Sequence, residues 1–177
     1  MNIEVEIRSF ISPEKYSELV SFFTENAKLV KEDYQETYYF DSSQDLRTQR
    51  NKYGAKIWLK KGALHEDSRE EIELVFARKD FDVANALFLA LGYSVAIKWF
   101  RDRKEFLWEG ITVCLDYTKG YGYIVELEKL GDGINNEIIL AGLREKFSRL
   151  EITNPTSKED FDKQYAYYKD NWRKLVD

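Results

Sequence analysis

Apolar and charged residues alternate without a break through Ile3-Glu4-Val5-Glu6-Ile7-Arg8, a period of two that predicts a strand with one buried face. The following segment SPEKYSELVSFFTENAKLV changes period. Tyr16, Leu19, Val20 and Phe23 fall on one helical face, with Ser12 placed to cap it and Pro13 suited to its first position. YQETYYFDS, rich in aromatics, predicts a second strand, and DLRTQRNKYGAKIWLKKG two more joined by a turn around Asn51–Gly54. REEIELVFA alternates again. DFDVANALFLALG predicts a second helix, with Asp80 or Asp82 near its start and Gly92 closing it. VAIKWFRDRKEF, GITVCLDYT and GYIVELEKL predict three further strands. Two helices end the chain, NNEIILAGLREKFSRL and SKEDFDKQYAYYKDNWRKLV, the latter capped by Ser157. The order β-α-β-β-β-β-α-β-β-β-α-α favours an α+β fold, and so strand-rich a chain must pair its edges or close into a barrel.

The parity of the strands carries the chemistry. Glu4, Glu6 and Arg8 share a face; so do Arg47 and Gln49; so do Lys56, Trp58 and Lys60. Arg69, Glu71 and Glu73 form another row, as do Trp99, Arg101 and Arg103. Asp116 lies opposite Leu115 and Tyr117, and Glu126 and Glu128 lie opposite Val125 and Leu127. Any one row is what the wet side of an antiparallel sheet looks like. Together they are nearly saturated with groups that bind cations or anions. Were the rows to face the inside of a barrel, burying such charges without partners would cost several kcal/mol each, so the interior would hold water, ions and an anionic ligand. Arginine and lysine form charge-assisted hydrogen bonds to phosphate oxygens, and carboxylates hold Mg²⁺ or Mn²⁺. Polyphosphate satisfies both. There is no Gly-x-x-x-x-Gly-Lys-[Ser/Thr] loop, which excludes a Walker-type nucleotide site.

Composition narrows this further. The 177 residues, 44% hydrophobic and 33% charged, suit one soluble domain over 1–177. A net charge of −5 argues against bulk attraction to a nucleic-acid duplex or a membrane. The single cysteine, Cys114, excludes an internal disulfide and a cysteine-rich zinc cluster. The single histidine, His65, excludes a histidine-rich metal site and lies in a polar turn, where solvation is the expected role. Any metal must therefore be held by oxygen ligands. Cys114 shares parity with Asp116, and a buried inert thiol is the expected reading. Trp58 and Trp99 sit on charged faces, where they stack a ligand ring or wedge between Arg and Lys stems. The aromatic last helix, with Tyr165, Tyr167, Tyr168 and Trp172, is expected to pack on the sheet rather than act as a lid. Neither a signal peptide nor a run long enough to span a membrane is apparent, so a cytoplasmic location is expected.

Glu4-x-Glu6-x-Arg8 resembles the E-x-E-x-K signature of the CYTH group, also called triphosphate tunnel metalloenzymes. DLRTQ at 45–49, KIWLKKG at 56–62, REEIE at 69–73, RDRKEF at 101–106, ITVCLD at 111–116 and GYGYIVELE at 120–128 extend the resemblance in order. It implies an eight-stranded antiparallel β-barrel, a triphosphate tunnel with helices packed outside, that takes triphosphate-containing small molecules with Mg²⁺ or Mn²⁺. It further implies metal ligation by Glu4, Glu6, Asp116, Glu126 and Glu128. Phosphate binding falls to Arg8, Arg47, Lys60, Arg101 and Arg103, with Lys56 and Arg69 as additions. Glu4, Glu6, Lys60 and Arg103 would be the catalytic set. Hydrolysis of a nucleoside, inorganic or thiamine triphosphate is placed first, class IV-type adenylyl cyclase activity second, and a non-catalytic nucleotide- or polyphosphate-binding module third. A monomer or homodimer is expected. Three departures stand out: Arg8 for the motif's lysine, Gln49 where a second arginine often sits, and Tyr121 for the usual leucine before glycine.

Overall fold

A computed structural model describes residues 3–60, 71–131 and 134–177, with backbone alone at Ile3, Glu4, Lys60 and Glu71. His65 and Arg69 lie outside the described residues. The elements are β1 (Ile3–Ile11), α1 (Pro13–Asn26), β2 (Lys28–Phe40), β3 (Asp45–Arg50), β4 (Ala55–Lys60), β5 (Glu71–Phe76), α2 (Phe81–Ala90), β6 (Val95–Trp108), β7 (Ile111–Thr118), β8 (Gly122–Gly131), α3 (Asn136–Arg149) and α4 (Lys158–Leu175). The eight strands form one sheet in the order β1-β8-β7-β6-β2-β3-β4-β5, and the pairings β1–β8, β7–β8, β2–β3, β3–β4 and β4–β5 are antiparallel. This is the expected α+β class with an eight-stranded sheet and four helices. Among the described residues, β1 and β5 stand at the two ends of the strand order.

Local chemistry accounts for most boundaries. Ser12 Oγ accepts from Lys15 N at 3.1 Å and Pro13 occupies the first turn of α1. Ser157 Oγ likewise accepts from Asp160 N at 3.1 Å at the start of α4. The β3–β4 turn falls where expected, with Asn51 N donating to Gly54 O at 2.9 Å and Asn51 Oδ1 accepting from Tyr53 N and Gly54 N. Gly92, at φ +91°, ends α2 in a backbone conformation that glycine adopts without strain. Helix α1 stops at Asn26, short of the expected Val30. Ala27 turns extended and Lys28-Leu29-Val30 open β2, because strand pairing overrides a weak helical pattern that has no C-terminal glycine.

Contacts divide the chain into two compact units, Met1–Glu32 with Asp102–Tyr167 and Asp33–Arg101 with Tyr168–Asp177. In the first, Leu19 and Phe23 of α1 and Leu143 and Phe147 of α3 bury against Phe106, Val113, Leu115, Val125 and Leu127. These strand residues are the apolar parity set, so the charged set takes the opposite face. In the second, Phe81 of α2 meets Tyr38 edge-on at 5.3 Å between ring centres, and Asn85 Oδ1 accepts from Thr48 at 2.6 Å. Tyr168 and Trp172 of α4 are buried. The Tyr168 hydroxyl donates to Lys98 O at 2.8 Å and the Trp172 indole to Ala96 O at 2.7 Å, which is the packing role expected of this helix.

Candidate functional site

In the first unit, the strand register decides which charges meet. Glu6 lies opposite Glu128 and Arg8 opposite Glu126 across β1–β8, while Cys114 lies opposite Glu126 and Thr112 opposite Glu128 across β7–β8. Glu4 pairs in backbone register with Leu130. The β6–β7 hairpin turns through Glu109 and Gly110, both at positive φ (49° and 75°), as a two-residue turn that follows strand twist requires. Such a tight turn brings Arg103 level with Asp116. Arg103 Nε donates to Asp116 Oδ1 at 2.8 Å and Nη2 to Oδ2 at 2.7 Å, with a longer contact of 3.4 Å to Glu126 Oε1.

This bidentate pair is largely buried, with side-chain exposure of 18% for Arg103 and 6% for Asp116. Burial by itself would lower the guanidinium pKa, but the hydrogen bonds and charge of Asp116 outweigh it, and the net shift is upward. Arg103 stays charged. Both oxygens of Asp116, expected as a metal ligand, accept from Arg103. Arg8 sets its guanidinium over the Phe161 ring at 4.6 Å. Its planar group stacks where the motif's lysine would offer only a point charge.

The acidic residues divide by exposure. Glu6 is exposed, Glu126 and Glu128 are half-buried, and Cys114 is buried. Ligand atoms of Cys114, Glu126 and Glu128 all lie within 4.8 Å of one another. Burial is the main cause that pushes the Cys114 thiol up, so it is protonated at neutral pH. Sequence parity had placed Cys114 beside Asp116; the register makes Glu126 its cross-strand neighbour.

In the second unit, the charged row of β3 and β4 is also paired. Arg47 makes a bidentate bond to Asp45, both contacts at 2.5 Å, and lies 4.3 Å from the Tyr39 ring centre. Lys56 Nζ donates to Glu73 at 2.8 Å and sits 4.4 Å from the Trp58 ring, with the Arg47 guanidinium 5.6 Å from the same ring. Trp58 is therefore wedged between cationic stems, one of its two expected roles. Arg101 Nε donates to Gln35 Oε1 at 2.9 Å. Gln49 is buried and donates to Thr37 at 2.9 Å, so the position that departs from the arginine pattern bridges strands instead. Trp99 packs edge-on against Tyr168 at 5.0 Å. Lys60 lies opposite Asp45 and Glu71 in register. Sequence reasoning missed Asp45 and Gln35, the partners of Arg47 and Arg101. The parity shared by Asp45 and Arg47 was a usable signal, whereas Gln35 had none.

The profile of the CYTH domain matches residues 2–165. The chain belongs to the CYTH family. Among solved structures, a conserved hypothetical protein from Pyrococcus furiosus is similar at 25% identity and a TM-score of 0.65, covering 89% of this chain and 93% of that one. The Hippeastrum protein HpAC1, named for adenylyl cyclase and reported with a dominant triphosphatase activity, is similar at 18% identity and a TM-score of 0.64, covering 89% and 93%. A Bacillus halodurans protein named for adenylate cyclase is similar at 17% identity and a TM-score of 0.62, covering 88% and 94%. At these identities the last two show a shared CYTH fold. No curated protein matches in sequence. Among the described residues, no helix is long and apolar enough to cross a membrane.

Proposed function

We propose that this CYTH protein is a divalent-metal-dependent hydrolase of triphosphate-containing small molecules. The observation that carries the reading is the convergence of Glu126 and Glu128 on a face that also presents Glu6, Arg8 and the charged Arg103. The donor set suits a divalent ion, since carboxylate oxygens are the ligands that Mg²⁺ and Mn²⁺ prefer. Glu126, Glu128 and Glu6 would hold it, with Glu4 of the same parity as a further ligand. A bound ion of this class neutralises charge on phosphate oxygens and favours in-line attack.

The remaining work belongs to the chain's cations. In the first unit Arg8 and Arg103 would meet phosphate oxygens; Arg47, Lys56, Lys60, Arg69 and Arg101 are carried as further phosphate-binding candidates on the family resemblance alone. Asp116 acts through Arg103 by fixing the plane of its guanidinium, and Asp45 does the same for Arg47. Hydrolysis is placed ahead of cyclisation because it needs only water beyond these groups. Cyclisation would also need a nucleoside held with its 3′-hydroxyl at the α-phosphate.

The test is incubation with inorganic triphosphate, ATP and thiamine triphosphate, with and without Mg²⁺ or Mn²⁺, followed for phosphate, pyrophosphate and cyclic AMP. Metal-dependent phosphate release that is lost in Glu126→Gln is expected. Pyrophosphate with cyclic AMP would select the cyclase, and tight binding without turnover a non-catalytic module.

A further inference from the structure

We propose that the cleft beside Tyr34, on the face of β2 and β3 that α2 packs against, binds a phosphate monoester carrying a planar ring, of the nucleoside monophosphate class. This site is separate from the charged rows considered above for triphosphate. Glu36 lies opposite Arg50 and Thr37 opposite Gln49 across β2–β3, so Arg50 points away from the face that holds Gln49 and Arg47. Two contacts place Arg50 on the helix side. Its guanidinium lies 4.7 Å from the Phe81 ring of α2, and Thr48, of the same parity, bonds to Asn85 of that helix. Here Tyr34, Glu36, Arg50, Asn51, Lys52 and Arg78 line a cleft of about 470 Å³, all within the second unit. That volume suits a small molecule.

The lining holds three cations against one carboxylate. Glu36 is already committed: one oxygen accepts from the Tyr38 hydroxyl at 2.8 Å and the other from Arg50 Nε at 2.6 Å. Asp82 adds a contact of 3.3 Å to Arg50. Lys52 and Arg78 have no such partner, since among the described residues neither meets a carboxylate. Both are nevertheless anchored. Lys52 N donates to the buried Asp33 at 3.2 Å, and Arg78 Nε donates to Asn51 O at 2.8 Å. The second bond fixes the guanidinium plane and leaves its two terminal nitrogens as a fork. Such a fork bonds phosphate oxygens bidentately, and the Lys52 ammonium adds a point charge. Two cations without counter-charges match the near-dianion of a phosphate monoester better than a single carboxylate. The Tyr34 ring, 51% exposed, walls the same cleft and offers the flat apolar surface on which a planar ring stacks.

The experiment titrates AMP into the full chain in EDTA by isothermal calorimetry, with inorganic phosphate as a second probe. One AMP per chain is expected, and inorganic phosphate should bind more weakly because it lacks the ring. Lys52→Ala and Arg78→Ala should each lower the affinity for both probes by at least about tenfold, the loss of one charge-assisted hydrogen bond. Tyr34→Ala should weaken AMP binding and leave inorganic phosphate binding as it was. Arg8→Ala, on the charged face of β1, should bind AMP as the wild type does. In the wild type alone, AMP should shift the amide resonances of Lys52, Gly54 and Arg78 and not those of Glu6 and Arg8, a readout that needs no variant to fold. No AMP binding, an unchanged affinity in Arg78→Ala, or loss of binding in Arg8→Ala overturns the proposal. Phosphate release from triphosphate in Mg²⁺ should be the same in Arg78→Ala as in the wild type, because the cleft lies on the opposite face of β3. A parallel loss of turnover and AMP binding in that variant would merge the two sites and overturn the proposal, whereas AMP binding in a wild type without turnover removes only the hydrolase.

Discussion

Asp116→Asn should destabilise the protein by about 3 kcal/mol, and most of that loss should disappear when Arg103 is also replaced. The carboxylate accepts two hydrogen bonds from Arg103, at 2.8 and 2.7 Å, and its side chain is 6% exposed. An amide in its place keeps the shape but leaves the buried guanidinium with only the longer, 3.4 Å contact to Glu126 as counter-charge. Breaking one partner of a buried pair costs roughly 3–5 kcal/mol, and the 18% exposure of Arg103 places this case at the lower end. Arg103→Gln should cost a comparable amount, because Asp116 and Glu126 are then left facing each other with no cation between them. The double variant Asp116→Asn/Arg103→Gln holds neither charge, so its loss should fall short of the sum by about 2 kcal/mol, within the range seen for directly bonded residues. Urea unfolding followed by circular dichroism measures all four proteins. With a slope of about 2 kcal/mol per molar, a 3 kcal/mol loss moves the midpoint by about 1.5 M. If the two single losses add to within about 0.5 kcal/mol in the double variant, Asp116 is not the residue that holds Arg103, and its role as a positioning group fails.

The remaining expectations concern ligands and pH. Adding triphosphate and Mg²⁺ together should raise the melting temperature by more than the sum of their separate effects, since a ligand at 100 times its dissociation constant stabilises by about 2.7 kcal/mol. Purely additive shifts at constant ionic strength would mean that the charged rows are ordinary wet faces. Burial, with the charges of Asp116 and Asp102 adding to it, pushes the Tyr16 hydroxyl from its ordinary 10.0 up to about 12. A raised folded pKa contributes stability in full below pH 10 that is lost as pH rises through about 12. An ultraviolet titration should therefore show a late tyrosinate step that Tyr16→Phe removes; ionisation of Tyr16 near pH 10 in the intact fold would contradict its burial.

Period and parity are local properties, and the sequence by itself determined them. The alternation of Glu4-Val5-Glu6, of Leu46-Arg47-Thr48 and of Val125-Glu126-Leu127 already separates a core face from a charged face, because successive side chains on a strand must point to opposite sides. Capping and turn chemistry at Ser12, Asn51, Gly92 and Ser157 was equally legible, since each is settled within four residues. Register is not local. Only the paired strands decided that Glu6 meets Glu128 and that Cys114 meets Glu126, because a slip of two residues keeps every face while exchanging every partner. The pairing of Asp116 with Arg103 was likewise not legible, because the two lie on different strands. The two-residue hairpin turn at Glu109-Gly110 set them side by side, and a buried guanidinium requires the nearest carboxylate.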